Sequence, residues 1–172
     1  MAAIQVQSSG VHGSRLESYE KHEERKPINR EPDNLISYKI WRRAGFMIEL
    51  DFNKGNGLLP AIAQEETSGE VLMLAYINEA SWKKSLETGE AHYWSRSRKE
   101  IWHKGGTSGN VQKIREIRVD CDNDTVLFKV VQVGGAACHT GHKSCFHKKV
   151  DGDGSFTIIG EPIFDPRKVY GK

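Results

Sequence analysis

Three cysteines fall within one short stretch of this sequence, and the chain contains no others. Cys121, Cys138 and Cys145 lack the paired C-x2-C spacing that is common in closed structural zinc sites. Three thiolate ligands would leave the fourth tetrahedral position of a zinc ion open to water, as in a catalytic site. The alternative is that three small buried residues happen to be cysteines, because free cysteine is often buried. Acidic residues flank the first cysteine and His139 follows the second, so the pattern favours a catalytic metal.

Three acidic residues alternate along the chain around the first cysteine. Asp120, Asp122 and Asp124 could simply mark a tight turn, where aspartate is common. A calcium loop of the EF-hand type is excluded, because Thr125 stands where the loop needs glycine and Val131 where it needs glutamate. The remaining interpretation is a carboxylate cluster suited to a hard cation such as magnesium, which takes oxygen ligands and often bridges to phosphates.

Aromatic and basic residues are mixed in the segment 92–98, which reads His-Tyr-Trp-Ser-Arg-Ser-Arg. Such a mixture could form a stacking platform for single-stranded nucleic acid, or it could be a solvated hairpin with ordinary surface charge. The following segment 104–110 adds a lysine, glycines and hydroxyl groups, and its free backbone N–H groups could form an anion-binding concavity. Neither segment identifies a ligand by itself.

Length and composition predict one domain with a sizeable core. The chain has 172 residues and a formal net charge of +2, which gives no electrostatic reason to expect nucleic acid or a membrane as partner. No apolar run approaches the roughly 20 residues that span a bilayer, and no signal-peptide core opens the chain. An odd number of cysteines argues for a reducing compartment. We therefore expect a cytoplasmic protein.

The elements that would position these residues begin with a strand over 46–52 and a second over 58–64. A third is the apolar run 71–77, which has strand length and turn signals at both ends. Asn78 is a plausible N-cap for a helix over 79–88, which Gly89 would end.

A strand predicted over 114–121 ends at Asp120 and Cys121, and the other two aspartates follow it directly. Alternation places Ile117, Val119 and Cys121 on one apolar face and Asp120 on the other. The thiolate and the carboxylates are therefore predicted to serve different ions. A turn and a strand over 126–133 complete a hairpin, and two glycines lead on to the second and third cysteines.

The chain divides by composition into three parts. Residues 1–44 are a polar extension, expected to be flexible because such a composition buries too little apolar area to offset ordering entropy. Residues 45–149 carry the motifs, and residues 150–172 form a tail with a hairpin-like turn and a possible strand. We predict a mainly β fold with one clear helix, an α+β domain that is compact and built of antiparallel sheets.

Several motifs in one order resemble the phosphoribosyl-AMP cyclohydrolase family, an enzyme family of histidine biosynthesis. The most distinctive is Ala-Cys-His-Thr-Gly-His-Lys-Ser-Cys-Phe, which holds the second and third cysteines. The resemblance runs from about Phe46 to His147 without a large gap. The segments that carry it are 71–78, 89–98, 102–105, 107–112, 119–122 and 137–146.

The resemblance implies a reaction, two metals and a partner. The reaction is hydrolytic opening of the N1–C6 bond in the adenine ring of N1-(5-phosphoribosyl)-AMP, a small-molecule nucleotide. It implies that the three cysteines bind zinc, which lowers the pKa of a bound water to about 7. It also implies that the three aspartates bind magnesium. In the family the zinc, one per subunit, is shared across an intertwined homodimer.

Roles for other side chains follow from the same resemblance. His139 is the candidate general base, because histidine titrates near neutrality; the alternative is a structural histidine beside the metal. His103 is a weaker candidate. Guanidinium and ammonium groups bind phosphates, so basic residues of the motifs are expected to hold the two phosphate groups. The expected substrate or phosphate contacts are Arg96, Arg98, Lys104, Ser108, His142 and Lys143.

Two rival functions remain at this point. A zinc-dependent nucleobase deaminase attacks the same ring carbon, but the P-C-x-x-C element of that class is absent from the sequence. A non-enzymatic zinc module that binds nucleic acid would need four ligands and a clearly basic domain. Neither requirement is met here.

Overall fold

The computed structural model describes residues 49–171. The predicted extension 1–44 and the first part of the predicted strand 46–52 lie outside the described residues. The rest of that prediction is wrong, because residues 49–52 are irregular and lead into a run of turns. The elements are β1 (Leu59–Glu65), β2 (Val71–Ile77), α1 (Glu79–Thr88), β3 (His92–Ser95), β4 (Glu100–His103), β5 (Gln112–Val119), β6 (Val126–Gln132), β7 (Lys148–Val150), β8 (Phe156–Ile158) and α2 (Pro166–Tyr170).

Six strands form one mixed sheet in the order β4-β3-β2-β1-β6-β5. The mainly β, α+β prediction is confirmed, with the short helix α2 as an addition. The sheet is not wholly antiparallel, because β1 and β6 pair in parallel. Parallel pairing needs a long connection, and the chain supplies one between these strands by building β2, α1 and β3 to β5. The sheet also curls, because an antiparallel bridge joins Glu90, just before β3, to Lys113 on β5.

Helix α1 has the ends that its sequence predicts. The Asn78 side chain accepts a hydrogen bond from the backbone N–H of Ser81 at 2.9 Å, and the Ser81 hydroxyl accepts one in return from the backbone N–H of Asn78. Gly89 ends the helix with φ of 70°, a left-handed conformation that glycine adopts without strain. Trp82 is buried and stacks on Phe128 with ring centroids 6.2 Å apart, which fixes the helix on the sheet.

The core lies along the inward faces of β1, β2, β3 and β6. Its apolar side chains include Leu59, Leu72, Ile77, Tyr93, Val126, Phe128 and Val130, all buried. A chain of buried hydrogen bonds crosses it. The Tyr93 hydroxyl donates to Gln112 at 2.8 Å, Gln112 donates to Gln132 at 3.0 Å, and Gln132 donates to the carbonyl of Asn110 at 3.0 Å. Because buried polar groups must be paired, this network holds the loop 104–110 to the core.

The hairpin of β7 and β8 forms a separate two-stranded sheet, and all six of its residues are exposed. The segment after it returns to the cysteine loop, where the backbone N–H of Ile163 donates to the carbonyl of Gly141 at 2.8 Å. A Cβ on Gly141 would stand 2.2 Å from the carbonyl oxygen of Phe164, so only glycine fits this approach. Among residues 49–171 no helix has the length and apolar character needed to span a bilayer.

Candidate active site

The three aspartates, hereafter the aspartate triad, come together at the turn between β5 and β6. Asp120, Asp122 and Asp124 each offer an oxygen within 4.8 Å of the others. The Oδ1 atom of Asp120 accepts hydrogen bonds from the backbone N–H groups of Asp124 and Thr125, each at 3.0 Å. Desolvation raises the pKa of Asp120, but these N–H groups outweigh it and hold that pKa below its ordinary value. The backbone therefore pre-orients Asp120, and the triad offers the oxygen ligands that a hard divalent cation requires.

Lys54 faces the aspartate triad, although no sequence motif pointed to it. Its Nζ atom lies 2.8 Å from Oδ2 of Asp122 and 3.9 Å from Oδ2 of Asp124. Lys54 and Asp122 are 68 residues apart in the sequence, so no local sequence pattern could have predicted this contact.

The second and third cysteines lie in the loop that follows β6. Cys138 is 4% exposed, and its Sγ atom lies 3.0 Å from the hydroxyl oxygen of Thr140. The backbone N–H of Cys138 donates to the carbonyl of His142 at 3.0 Å, which folds the loop back on itself. The backbone N–H of Cys145 donates to the carbonyl of Leu72 on β2 at 2.7 Å. These contacts bring two thiols side by side at one end of the sheet.

The thiol of Cys145 is a weaker acid than an ordinary cysteine, because its pKa is raised. Cys145 is exposed as a residue, but partial desolvation of its thiol raises the pKa, and the neighbouring Cys138 adds to the shift, to about 12. The charge of Lys104 acts in the opposite direction. The surroundings of Cys145 therefore disfavour its thiolate, and a nearby positive charge would favour it.

Lys104 is only 4% exposed, which is rare for lysine. Its ammonium donates one long hydrogen bond, 3.4 Å, to the carbonyl of Asn110. Burial lowers the pKa of Lys104, and the charges of Cys145 and Cys138 oppose that effect. The lysine that the sequence assigned to a phosphate is therefore a buried neighbour of the two thiols.

The histidines of the cysteine loop differ in their surroundings. His142 stacks on His147 with ring centroids 4.0 Å apart, and its Nδ1 atom lies 3.0 Å from the hydroxyl oxygen of Thr140. Since that hydroxyl also contacts Cys138, a hydrogen-bonded path runs from the thiol to His142. His139 is exposed and makes no hydrogen bond to any residue within 49–171.

The two arginines expected to bind phosphates lie at the β3–β4 hairpin. Arg96 places its guanidinium 4.0 Å from the ring centroid of Tyr76, a cation–π contact, and no carboxylate within residues 49–171 pairs with its N–H groups. Arg98 is paired with Glu100 at 2.5 Å. Arg96 is thus the arginine of this pair with donors available to an anion.

The other expected phosphate contacts are also engaged within the chain. Lys143 pairs with Glu70 at 2.7 Å, and both side chains are exposed. The hydroxyl oxygen of Ser108 accepts a hydrogen bond from the backbone N–H of Asn110 at 3.3 Å. An anion that used either group would have to replace these contacts.

His103 belongs to a different cluster, between β3, β4 and α1. Its Nε2 atom donates to a carboxylate oxygen of Glu90 at 2.7 Å, and its ring stacks on His92 at 4.4 Å. His92 is buried and donates from Nδ1 to the carbonyl of Glu90 at 2.9 Å. These contacts indicate that both histidines have a structural role.

Cys121 does not join the other two cysteines within one chain. It lies in the turn after β5 and is exposed, so the prediction that it extends the apolar strand face is wrong: the strand ends at Val119. Cys138 follows the far end of β6, which pairs with β5 in antiparallel fashion. An eight-residue strand rising about 3.4 Å per residue separates the two ends of this hairpin by about 24 Å. Within residues 49–171, the aspartate triad is the one place where three or more potential metal-ligating side chains come together.

Comparisons with known proteins point to one family. A family model described as phosphoribosyl-AMP cyclohydrolase matches residues 73–147. A protein of that name from Desulfatibacillum aliphaticivorans is 69% identical over 126 residues, which is 73% of this chain and 100% of the relative. One from Desulfotalea psychrophila is 63% identical over 126 residues, 73% of this chain and 98% of the relative. One from Haloarcula marismortui is 59% identical over 112 residues, 65% of this chain and 89% of the relative.

Proposed function

The chain belongs to the phosphoribosyl-AMP cyclohydrolase family and is a hydrolase of histidine biosynthesis, and from this premise we propose how it acts. We propose that residues at the two ends of the β5–β6 hairpin would hold two metal ions in the reaction that opens the adenine ring of N1-(5-phosphoribosyl)-AMP. The observation that carries the proposal is the pair of adjacent thiols in the cysteine loop, next to a buried lysine and a hydrogen-bonded histidine.

The donor set of the cysteine loop suits zinc. Thiolates are soft ligands that select zinc over magnesium or calcium. Cys138 and Cys145 supply two such ligands, and we assign Cys121 of a second copy as the third, because it lies at the far end of its own chain's hairpin. Three protein ligands would leave one position open, and zinc held there would supply a water nucleophile at neutral pH.

The aspartate triad suits magnesium. Its carboxylates are hard oxygen donors within 4.8 Å of one another, and magnesium commonly joins one or two carboxylates to substrate phosphates. A substrate with two phosphate groups gives such an ion an anionic partner. In the proposed dimer, each aspartate of one copy lies within three residues of Cys121, the cysteine that this copy lends to the other, so both metals would border one site.

An uncovered apolar face supports a homodimer. Ile62 pairs with Leu127 on one side and with Leu74 on the other, which aligns three apolar side chains on the outer face of the sheet. Leu74 is 46% exposed, and Ile62 and Leu127 are half-buried. Contiguous exposed apolar surface of this kind marks interaction sites. Phe146, which directly follows Cys145, and Phe156 on β8 are further exposed apolar side chains.

The chain's own residues bind the substrate and move the proton. We assign Arg96 to a substrate phosphate, because its guanidinium rests on Tyr76 with donors free for an anion. His139 stands one residue from a zinc ligand and is open to solvent, so it can exchange a proton with bulk water. His142 has a hydrogen-bonded path to Cys138 through Thr140 and orients the thiol. Arg98, Ser108 and Lys143 remain candidate phosphate contacts that must first leave their present partners.

The alkylated ring explains why the substrate needs little more than a positioned nucleophile. Substitution at N1 makes the ring cationic and C6 electrophilic, so water attack there breaks the N1–C6 bond. Positioning of a reactant against a catalytic group can remove a large part of a barrier. We propose that the enzyme works in the cytoplasm, where a reducing environment keeps its three free cysteines available as ligands.

Turnover by the purified chain tests the proposal. Phosphoribosyl-AMP should give the ring-opened formimino carboxamide with no ammonia released, and AMP should react poorly because its ring lacks the charge. Cys138→Ala should lose zinc and at least about a hundredfold in kcat, since metal sites supply several kcal/mol of barrier reduction. Asp122→Asn is the matched control for metal content, because it should keep its zinc and change only the dependence of turnover on magnesium. Ammonia release from AMP, with phosphoribosyl-AMP untouched, would instead identify a deaminase.

A further inference from the structure

Lys54 places its ammonium among the oxygens of the aspartate triad. Its Nζ atom is 2.8 Å from Oδ2 of Asp122, 2.9 Å from the carbonyl oxygen of the same residue and 3.9 Å from Oδ2 of Asp124. Two aspartates thus direct three oxygens at one positive charge of the chain. These oxygens are also the ones that a divalent cation in the triad would use.

The turn that carries Lys54 is fastened to the turn that carries the triad. The backbone N–H of Asp51 donates to the carbonyl of Asn123 at 2.8 Å. Within the turn that carries Lys54, the backbone N–H of Gly57 donates to the carbonyl of Phe52 at 2.8 Å. The lysine therefore approaches the acids from an anchored backbone. Its position beside the triad is a property of the fold.

The triad's carboxylates have different partners. Asp120 is held by two backbone N–H groups, which do not compete for a cation. Asp122 bonds through Oδ2 to Lys54. A cation that used all three carboxylates would therefore compete with Lys54 for Asp122, either for Oδ2 itself or through repulsion of the ammonium beside it. The lysine side chain is 41% exposed and that of Asp122 is 55% exposed, so the ammonium can move into water, and exposed ion pairs of this kind contribute little net free energy.

We propose that Lys54 is a built-in competitor of the divalent cation, which sets the affinity and the charge selectivity of the aspartate triad. The inference rests on the proposed magnesium site. Any cation that enters meets the same competing ammonium, but a monovalent ion gains only half the Coulomb attraction of a divalent ion at the same distance. The lysine thus disfavours sodium and potassium more than magnesium, and it keeps the acids paired until magnesium is abundant.

Calorimetric titration of the full chain with magnesium chloride, without substrate, tests this inference. Lys54→Met removes the charge and keeps the length of the side chain, so magnesium should bind about three- to tenfold more tightly, the range expected for loss of an exposed competing charge. Lys54→Arg keeps the charge and should bind magnesium as wild type does or more weakly. Potassium chloride should weaken magnesium binding more in Lys54→Met than in wild type at equal ionic strength.

Two controls separate the possible outcomes. Lys83→Met removes a lysine that is paired with Glu79 at 2.6 Å on α1, and it should leave magnesium affinity unchanged; an equal gain there would attribute the effect to net charge and overturn the inference. Asp122→Asn should weaken binding. If wild type binds magnesium through Asp122 but Lys54→Met binds no more tightly, the inference fails and the magnesium site stands. If neither chain binds, both fail.

Discussion

A lysine buried beside two thiols is the most unusual single residue of this protein. An ammonium without a carboxylate partner is costly in an apolar environment, and Lys104 has one long hydrogen bond and 4% exposure. If Cys138 and Cys145 bind the proposed zinc, their thiolates would provide the negative charge that such an ammonium needs. We therefore expect Lys104 to cost stability in the isolated fold and to balance charge at the proposed site.

Replacing Lys104 by methionine should separate these two effects. The free energy of unfolding should stay unchanged or rise by about 1 kcal/mol, because a buried charge gives way to an apolar side chain of similar length. Zinc affinity, measured by competition with a chelator, should fall together with kcat. Lys104→Arg should recover part of the zinc affinity. A rise in KM alone, with zinc affinity intact, would show instead that Lys104 binds a substrate phosphate.

The sequence predicts ligand types better than it predicts their neighbours. The spacing of the three acids and their alternation with Cys121 place the acids in one turn, because contacts within five residues depend on local geometry. Lys54 could not be found in this way, since its partner is 68 residues distant and no motif marks it. The burial of Lys104 was equally hidden, because its glycine-rich segment has the composition of an exposed turn.

Secondary structure is likewise predicted well where it depends on nearby residues and poorly where it depends on residues distant in sequence. The strand β2 and the helix α1, with its N-cap Asn78 and its terminal Gly89, agree with the prediction from sequence, because periodicity and capping act within a few residues. The parallel pairing of β1 with β6 joins segments about sixty residues apart, and no local pattern encodes it. Cys121 was assigned to a strand face because alternation does not reveal where the hydrogen-bonded ladder stops.

The junction between α1 and β3 should make the fold sensitive to acid through His92. Burial lowers the pKa of His92, despite the hydrogen bond from its Nδ1 to the carbonyl of Glu90. Above the ordinary histidine pKa, about 6.5, both folded and unfolded chains are neutral at this site. As the pH falls through that value, the unfolded chain takes up a proton before the folded chain does. This histidine therefore lowers the free energy of unfolding as the solution becomes acidic.

The variant His92→Asn tests that sign, since asparagine keeps a donor near the Nδ1 position. Urea unfolding at about pH 7.5 and about pH 5, on either side of the ordinary histidine pKa, should show a smaller loss of stability on acidification in the variant than in wild type. His139→Asn is the matched control, because it removes an exposed imidazole, and its loss of stability on acidification should equal that of wild type. Equal acid losses in His92→Asn and wild type would remove His92 as the cause.

In the molecule as a whole, one hairpin separates Cys121 from the other two cysteines. The aspartates and Cys121 lie at the turn of β5 and β6, and the thiols of Cys138 and Cys145 lie past the opposite end. A single chain would therefore hold only part of the proposed zinc site at each end, and an apolar row on the outer face of the sheet offers a surface for a second copy. If two chains associate so that each turn meets the other's cysteine loop, both proposed zinc sites would become complete together.

Complementation between two inactive variants tests this arrangement. Cys121→Ala keeps the thiol pair, and the double variant Cys138→Ala/Cys145→Ala keeps the lone thiol. Each alone should be inactive and low in zinc. After co-refolding at equal amounts, random pairing makes about half of the dimers mixed, each with one intact site of two, so activity and zinc should recover to about a quarter of wild type. Each variant refolded with itself is the control. Mixed dimers verified by mass spectrometry but without zinc or turnover would mean that the three cysteines do not meet across the interface.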